Sequence, residues 1–173
     1  MLEHILIATD GSENARRAEA LGSAIAYRFG AQVLFVHVQA EAPSEVDIRG
    51  MAEVWQEVGP QPFGVLHMDD LIQHVGSMPG LEHVDTREKA LREIGNHVLE
   101  NARRTAREAG VENVETRLLH GDPARAIIEM ADQQEVDLVV MGSRGVGRVE
   151  GVLLGSVSQK VSTEVTANCL TVR

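Results

Sequence analysis

A single cysteine, Cys169, excludes any disulfide within the chain. It lies in the apolar tail "NCLTVR" and is read as a buried, inert thiol. Long hydrophobic runs are missing too. None approaches the roughly 20 residues of a membrane-spanning helix, so no membrane insertion is expected. The opening "MLEHILIATD" has neither the basic start nor the apolar stretch of a secretory signal, and the expected location is the cytoplasm. Positive charge is scarce: 16 Lys and Arg stand against 26 Asp and Glu, for a net charge of −10. A duplex-binding surface needs clustered Lys and Arg, and no cluster occurs, so nucleic acid is not an expected partner. Aromatic residues make up only 3% of the chain, whereas glycine occurs 16 times.

What is present is an ordinary globular composition, 43% hydrophobic and 24% charged, over a length of 173 residues that suits one domain. The apolar runs "HILIAT", "QVLFVHV", "VETRLL", "DLVVM" and "CLTV" read as strands. Between the first two, Ser12 is a helix N-cap and Gly30 a stop, with Ala15, Ala18, Leu21, Gly22, Ile25 and Ala26 at helical spacing. "DTREKALREIGNHVLENARRTAREAG" carries Ala90, Leu91, Ile94, Val98 and Ala102 on one helical face. "GDPARAIIEMADQQ" opens a further helix with Asp122 as cap and Pro123 at its first position. Val157, Val161 and Val165 mark a last helix.

Strands alternating with helices imply a parallel sheet covered on both faces, with right-handed crossovers. With the first strand central, the first and fourth strands end side by side at the switch point where ligands bind. Asp10 and Gly142 then face one crevice.

Residues 41–85 break this rhythm. They hold four of the five prolines, the only tryptophan and three of the six methionines. Met51, Val54, Trp55 and Val58 have helical spacing, and "MDDLIQHV" reads as a further short helix. The segment is an insertion within a single 1–173 domain. It is either a surface excursion, a contact surface for a second subunit, or a flap that restrains ligand exchange.

The stretch "GSRGVGRVEGVLLGS", Gly142 to Ser156, holds five glycines after the fourth strand. Phosphate sites favour glycine because side chains obstruct approach to backbone N–H groups. A helix start adds free N–H groups and a dipole worth about 0.3–1 kcal/mol per charge. Arg144, Arg148, Glu150 and Lys160 leave this region at +2 within an acidic chain. A P-loop needs Gly-Lys, which is absent, and Gly145-x-Gly147-x-x-x-Gly151 is one residue too long for the dinucleotide fingerprint. "ATDGS" lacks the nucleophilic first Asp of a phosphoaspartate phosphatase, because residue 8 is Ala8. Asp137 starts its strand, at the end of the sheet away from the crevice. His67, Asp70 and His74 share helical spacing, which by itself does not define a metal site. His37 reads as a core or interface residue, and His120 ends the third strand at the crevice rim.

Gly142-x-x-Gly145, nine residues, then Gly155-Ser156 resembles the nucleotide-binding signature of the universal stress protein family. "HILIATDGSENARRA", "VLFVHV" and "GDPARAIIEMADQQEVDLVVMGSRG" resemble its other segments, so the likeness covers most of the chain outside 41–85. It departs in its longer insertion and in lacking the proline that commonly follows the cysteine. The resemblance implies an open five-stranded parallel α/β sheet, Rossmann-like and adenine nucleotide alpha hydrolase-like, with strand order 3-2-1-4-5. It points to the branch that binds ATP, with Mg²⁺ on the phosphates. Asp10 then contacts the adenosine part, with Ala8 and Thr9 beneath it, and Val38 packs against the base. Met141 and Gly142 lie along the ribose and phosphates, and Arg144 and Gly145 continue that loop. Gly155, Ser156, Val157 and Ser158 offer amides and hydroxyls to the phosphates. A homodimer through the C-terminal strand is also implied.

Three functions follow from these readings: a nucleotide-binding regulatory protein acting on a protein partner that the sequence does not identify, a slow ATPase or phosphotransferase using the same pocket, or an interaction module with an empty site. The glycine loop disfavours the last.

Overall fold

The computed structural model of the protein describes residues 2–40, 83–145 and 154–173. The elements run β1 (His4–Ala8), α1 (Glu13–Phe29), β2 (Gln32–Gln39), α2 (His83–Glu108), β3 (Val114–His120), α3 (Pro123–Gln133), β4 (Leu138–Gly142), α4 (Ser156–Glu164) and β5 (Asn168–Val172). All strands are parallel, in the order β3-β2-β1-β4-β5. The expected sheet is therefore the one observed, with β1 at its centre.

Alternation along the strands sorts the core into two layers. Ile5, Ile7, Val33, Phe35 and Val140 pack with Ala18 and Ala26 of α1 and with Leu99, Ala102 and Ala106 of α2. On the other face Leu6, Val36, Val139 and Met141 pack with Ile127 and Ala131 of α3 and Val161 of α4. β3 lies at a sheet edge, and its Glu115 and Arg117 alternate outward and pair with each other at 2.9 Å.

The caps explain where the helices begin. The Ser12 hydroxyl accepts from the Ala15 N–H, and the Asp122 carboxylate from the Arg125 N–H at 2.8 Å. Gly30 ends α1 in the left-handed conformation, φ 68°. At the opposite end of the sheet from the crevice, the Asp137 carboxylate accepts from the N–H groups of Glu3 and His4, at 2.7 and 2.9 Å. These bonds hold its acidity stronger than usual and tie the start of β1 to that of β4.

Some expectations change. Leu21 is exposed, because α1 centres its inner face on Ala15, Ala18, Glu19, Gly22 and Ala26, and Leu21 falls beside that arc. α2 begins at His83, two residues ahead of the expected Asp85. Val165 is the C-cap of α4 and lies outside the helix. Cys169 is half-buried against the α3/α4 layer, where burial raises its thiol pKa. The helical readings around Met51, Trp55 and "MDDLIQHV", and the bulk of the proposed insertion, lie outside the described residues. Among the described residues no helix is long and apolar enough to cross a membrane.

Candidate functional site

Parallel registry levels the strand ends that form the crevice. Ala8 of β1 lies beside Val36 of β2 and Met141 of β4. The chain leaves β1 at Thr9-Asp10, β2 just after Val38-Gln39 and β4 at Gly142. Here a cavity of about 400 Å³ opens, lined by all twelve residues expected at the site: Ala8, Thr9, Asp10, Val38, Met141, Gly142, Arg144, Gly145, Gly155, Ser156, Val157 and Ser158. Its volume is in the ordinary range for a small-molecule site, about 300–1,000 Å³.

Close approach to backbone requires glycine at Gly142, whereas Gly145 stands against a side chain. A Cβ at Gly142 would stand 2.9 Å from the Ala15 nitrogen and 3.0 Å from the Asn14 carbonyl carbon, backbone atoms of the first turn of α1. A Cβ at Gly145 would collide with the Asp10 carboxylate. The glycine loop therefore lies directly against the turn that carries Asp10.

The loop is also tied to α4. The Ser143 carbonyl accepts from the Gly155 N–H at 2.7 Å and from the Ser158 hydroxyl at 2.8 Å. The Ser143 N–H in turn donates to the Val172 carbonyl of β5. These bonds assign work within the expected phosphate set. The Gly155 amide and the Ser158 hydroxyl proton are committed to holding the loop. The N–H groups of Ser156, Val157 and Ser158 occupy the first turn of α4, where no intrahelical acceptor exists. The Arg144 Nε–H is buried and has no acceptor among the described residues. A buried unused donor is costly unless a ligand or water meets it. Arg148 and the middle glycines, Gly147 and Gly151, lie outside the described residues, as do His67, Asp70 and His74.

The turn before α1 is built with similar economy. The Asp10 carboxylate accepts from the Ser12 N–H at 3.0 Å, and the Thr9 hydroxyl accepts from the Gly11 N–H at 3.1 Å. The same hydroxyl donates to the carboxylate of Glu19, a residue only 4% exposed. From β2, the His37 Nδ1–H donates to the Thr9 carbonyl at 2.9 Å. Burial pushes the Glu19 carboxyl up to about 7 and the His37 imidazole down.

Sequence reasoning missed several wall residues. Asp122, Pro123 and Ile127 of α3 line the cavity, as do Ala15, Val36, His37 and Ala40. Asp122 is the N-cap that the sequence marks for α3. Its place after β3, on the rim that also carries Asp10, was the available signal for a site role. Its negative charge is balanced by Lys160, 3.6 Å away. His120 is exposed at the same end of the sheet, and does not line the cavity. Among the described residues no three His, Cys, Asp or Glu side chains gather as a metal site.

The fold that frames this cavity is shared with solved proteins. The cAMP complex of a universal stress protein superposes with TM-score 0.61 at 24% identity, covering 99% of this chain and 97% of that one. A universal stress protein from Archaeoglobus fulgidus, solved with dAMP, gives TM-score 0.58 at 19% identity, with 100% of both chains covered. In sequence, a universal stress protein of Thermus aquaticus is 34% identical over 177 aligned positions spanning 100% of each chain. The family profile matches residues 1–173, and with that match and the Thermus relative the chain belongs to the universal stress protein family.

Proposed function

We propose that this protein binds an adenine nucleotide, ATP foremost, and that occupancy of the site biases its conformation or its choice of regulatory protein partner. One observation carries the reading. One cavity is lined by the helix start of α4 with its free first-turn amides, by Arg144, whose Nε–H has no acceptor among the described residues, and by Asp10. Amides and a guanidinium suit phosphate, and a carboxylate suits the hydroxyl or amino donors of a nucleoside. Val38 and Met141 supply apolar surface for the base and ribose between them. The cAMP and dAMP bound by the two structural neighbours support the same ligand class. Mg²⁺ would enter on the phosphates, which supply the hard oxygen ligands it prefers. Mass spectrometry of the small molecules released from the purified protein should find an adenine nucleotide. A guanine nucleotide or a different anion in its place would overturn the reading.

Hydrolysis is expected to be slow. Rapid phosphoryl transfer needs a group that orients the attacking water and cations that act on the transferred phosphate. Asp10 belongs to the nucleoside end, and Asp122 carries the cap bond of α3 and the Lys160 contact on its Oδ1. Backbone amides that grip ground state and transition state alike do not raise turnover. Single-turnover assays with ATP and Mg²⁺ should fall far below the roughly 1–1,000 per second of typical enzymes. A rate near one per second, lost in Gly145→Asp, would favour the ATPase or phosphotransferase reading.

The protein is further expected to form a homodimer through β5. Among the described residues both β3 and β5 lack a second neighbouring strand, but β3 carries outward Glu115 and Arg117, which discourage pairing, whereas "NCLTV" of β5 has no charge. Sedimentation at micromolar concentration should show a dimer, and a Thr171→Pro variant should be monomeric. A wild-type monomer would contradict the assignment.

A further inference from the structure

We infer that Glu19 is a positioning residue for the nucleoside end of the site, acting through Thr9 on the Asp10 turn, and that it makes nucleoside affinity rise with pH through neutrality. The inference rests on the nucleotide reading above and adds a proton to it.

Glu19 sits where an acid has no obvious place. It belongs to the inner face of α1, among Ala15, Ala18, Gly22 and Ala26. Its carboxylate accepts the Thr9 hydroxyl proton, and Thr9 is the residue immediately before Asp10. The same Thr9 hydroxyl holds the Gly11 N–H, and the Thr9 carbonyl is held from β2 by His37. Both flanks of Asp10 are thus fixed from behind by one buried acid and one buried imidazole. The arrangement is confined. The His37 ring lies so close to α2 that a Cβ at Gly95 would come 2.8 Å from its Cδ2. A small cavity of about 120 Å³ adjoins Glu19, walled by Arg16 of α1 and by Asn101, Arg104 and Thr105 of α2. It gives the carboxyl a route to water while the side chain stays buried.

The charged groups facing Glu19 come from each element packed around it. Asp10 opposes its ionisation from the turn, and Arg16 favours it from α1. Arg104 lines the adjoining cavity from α2, and His37 reaches the same turn from β2. Burial is the dominant influence and leaves the carboxyl poised near pH 7.

Two effects then share one sign. Ionised Glu19 makes a charge-assisted bond to Thr9, roughly twice as strong as a neutral one, and so fixes Asp10 better. A nucleoside hydroxyl or amino group donating to Asp10 disperses its charge, relieves its repulsion of Glu19 and promotes loss of the Glu19 proton. Binding and deprotonation therefore favour one another.

Adenosine is the suitable probe, since it carries no phosphate that titrates in this range. Its affinity for the wild type should rise about fivefold between pH 6 and pH 8, the worth of one modest hydrogen-bond difference. Glu19→Gln keeps the shape and the acceptor but not the charge, and its affinity should stay flat at the wild-type pH 6 level. Calorimetric titration of the wild type near pH 7, in buffers of different ionisation enthalpy, should show net proton release. That reading requires no variant to fold. A pH-independent wild type, the same slope in Glu19→Gln, or no proton release would overturn the inference and leave the nucleotide reading standing. ATP binding without detectable adenosine binding at millimolar concentration would overturn it too, because the Asp10 turn would then grip nothing. A wild type that binds neither ligand would overturn both.

Discussion

Gly155→Asp is expected to abolish ATP binding while leaving the fold as stable as before or slightly more so. Gly155 is the N-cap of α4 at φ −70° and ψ 159°, a conformation any residue adopts. A Cβ there would meet its nearest neighbours, Arg144 Cα and the Ser143 oxygen, at 3.5 and 3.6 Å, which is ordinary contact. Aspartate is among the best N-caps, and its carboxylate accepts from the second and third amides of the helix. These are the Val157 and Ser158 N–H groups on which the phosphate assignment depends. The substitution thus supplies a permanent intramolecular anion and also repels the ligand. Losing two hydrogen bonds to a charged group at about 1.5–3 kcal/mol each removes at least a hundredfold in affinity. Ser156→Asp should also weaken binding, by repulsion alone. Equilibrium binding of labelled ATP, paired with thermal unfolding, checks both variants. Unchanged affinity in both would remove the phosphate assignment.

Glu19→Gln should stabilise the protein above pH 7 and lose that advantage in acid. Burial raises the Glu19 carboxyl from 4.5 to about 7, so the folded state binds more protons than the unfolded state between those values. Wild-type stability from this group is therefore complete below about pH 4.5 and declines as pH rises through 7. Glutamine has no such dependence. Relative to pH 5, the variant should gain roughly 2–3 kcal/mol over the wild type by pH 8, at about 1.4 kcal/mol for each pH unit of difference in acidity. His37 contributes with the opposite slope, because burial keeps it neutral and its unfolded form protonates below about 6.5. Both proteins share that contribution, so their difference isolates Glu19. Urea unfolding at pH 5, 6, 7 and 8 measures it, and parallel stability profiles would contradict the assignment.

Glu19 also marks the boundary of what the sequence discloses. The strands were legible because each is an apolar run bounded by turn residues, and the helix starts because Ser12 and Asp122 carry their own capping oxygens. The glycine spacing located the loop at the end of β4, a central β1 placed β1 beside β4, and the full sheet order came from the family resemblance. Contacts between elements were not legible. Thr9 and Glu19 meet because α1 packs tightly on β1, with a Cβ at Gly22 coming 2.6 Å from Ile7 Cδ1. Thr9 and His37 meet because β2 lies beside β1, 28 positions away in sequence. The division of labour at α4, where one amide and one hydroxyl hold the loop and three amides remain for a ligand, depends on where the Ser143 carbonyl points. No residue pattern reports that direction.

Equilibrium dialysis of the nucleotide-stripped protein against labelled ATP shows whether this cavity is a nucleotide site. Saturable binding at one site per chain is expected, displaced by unlabelled adenine nucleotides and absent in Gly155→Asp. Binding that fails to saturate up to millimolar ATP, or that persists undiminished in Gly155→Asp, would contradict it.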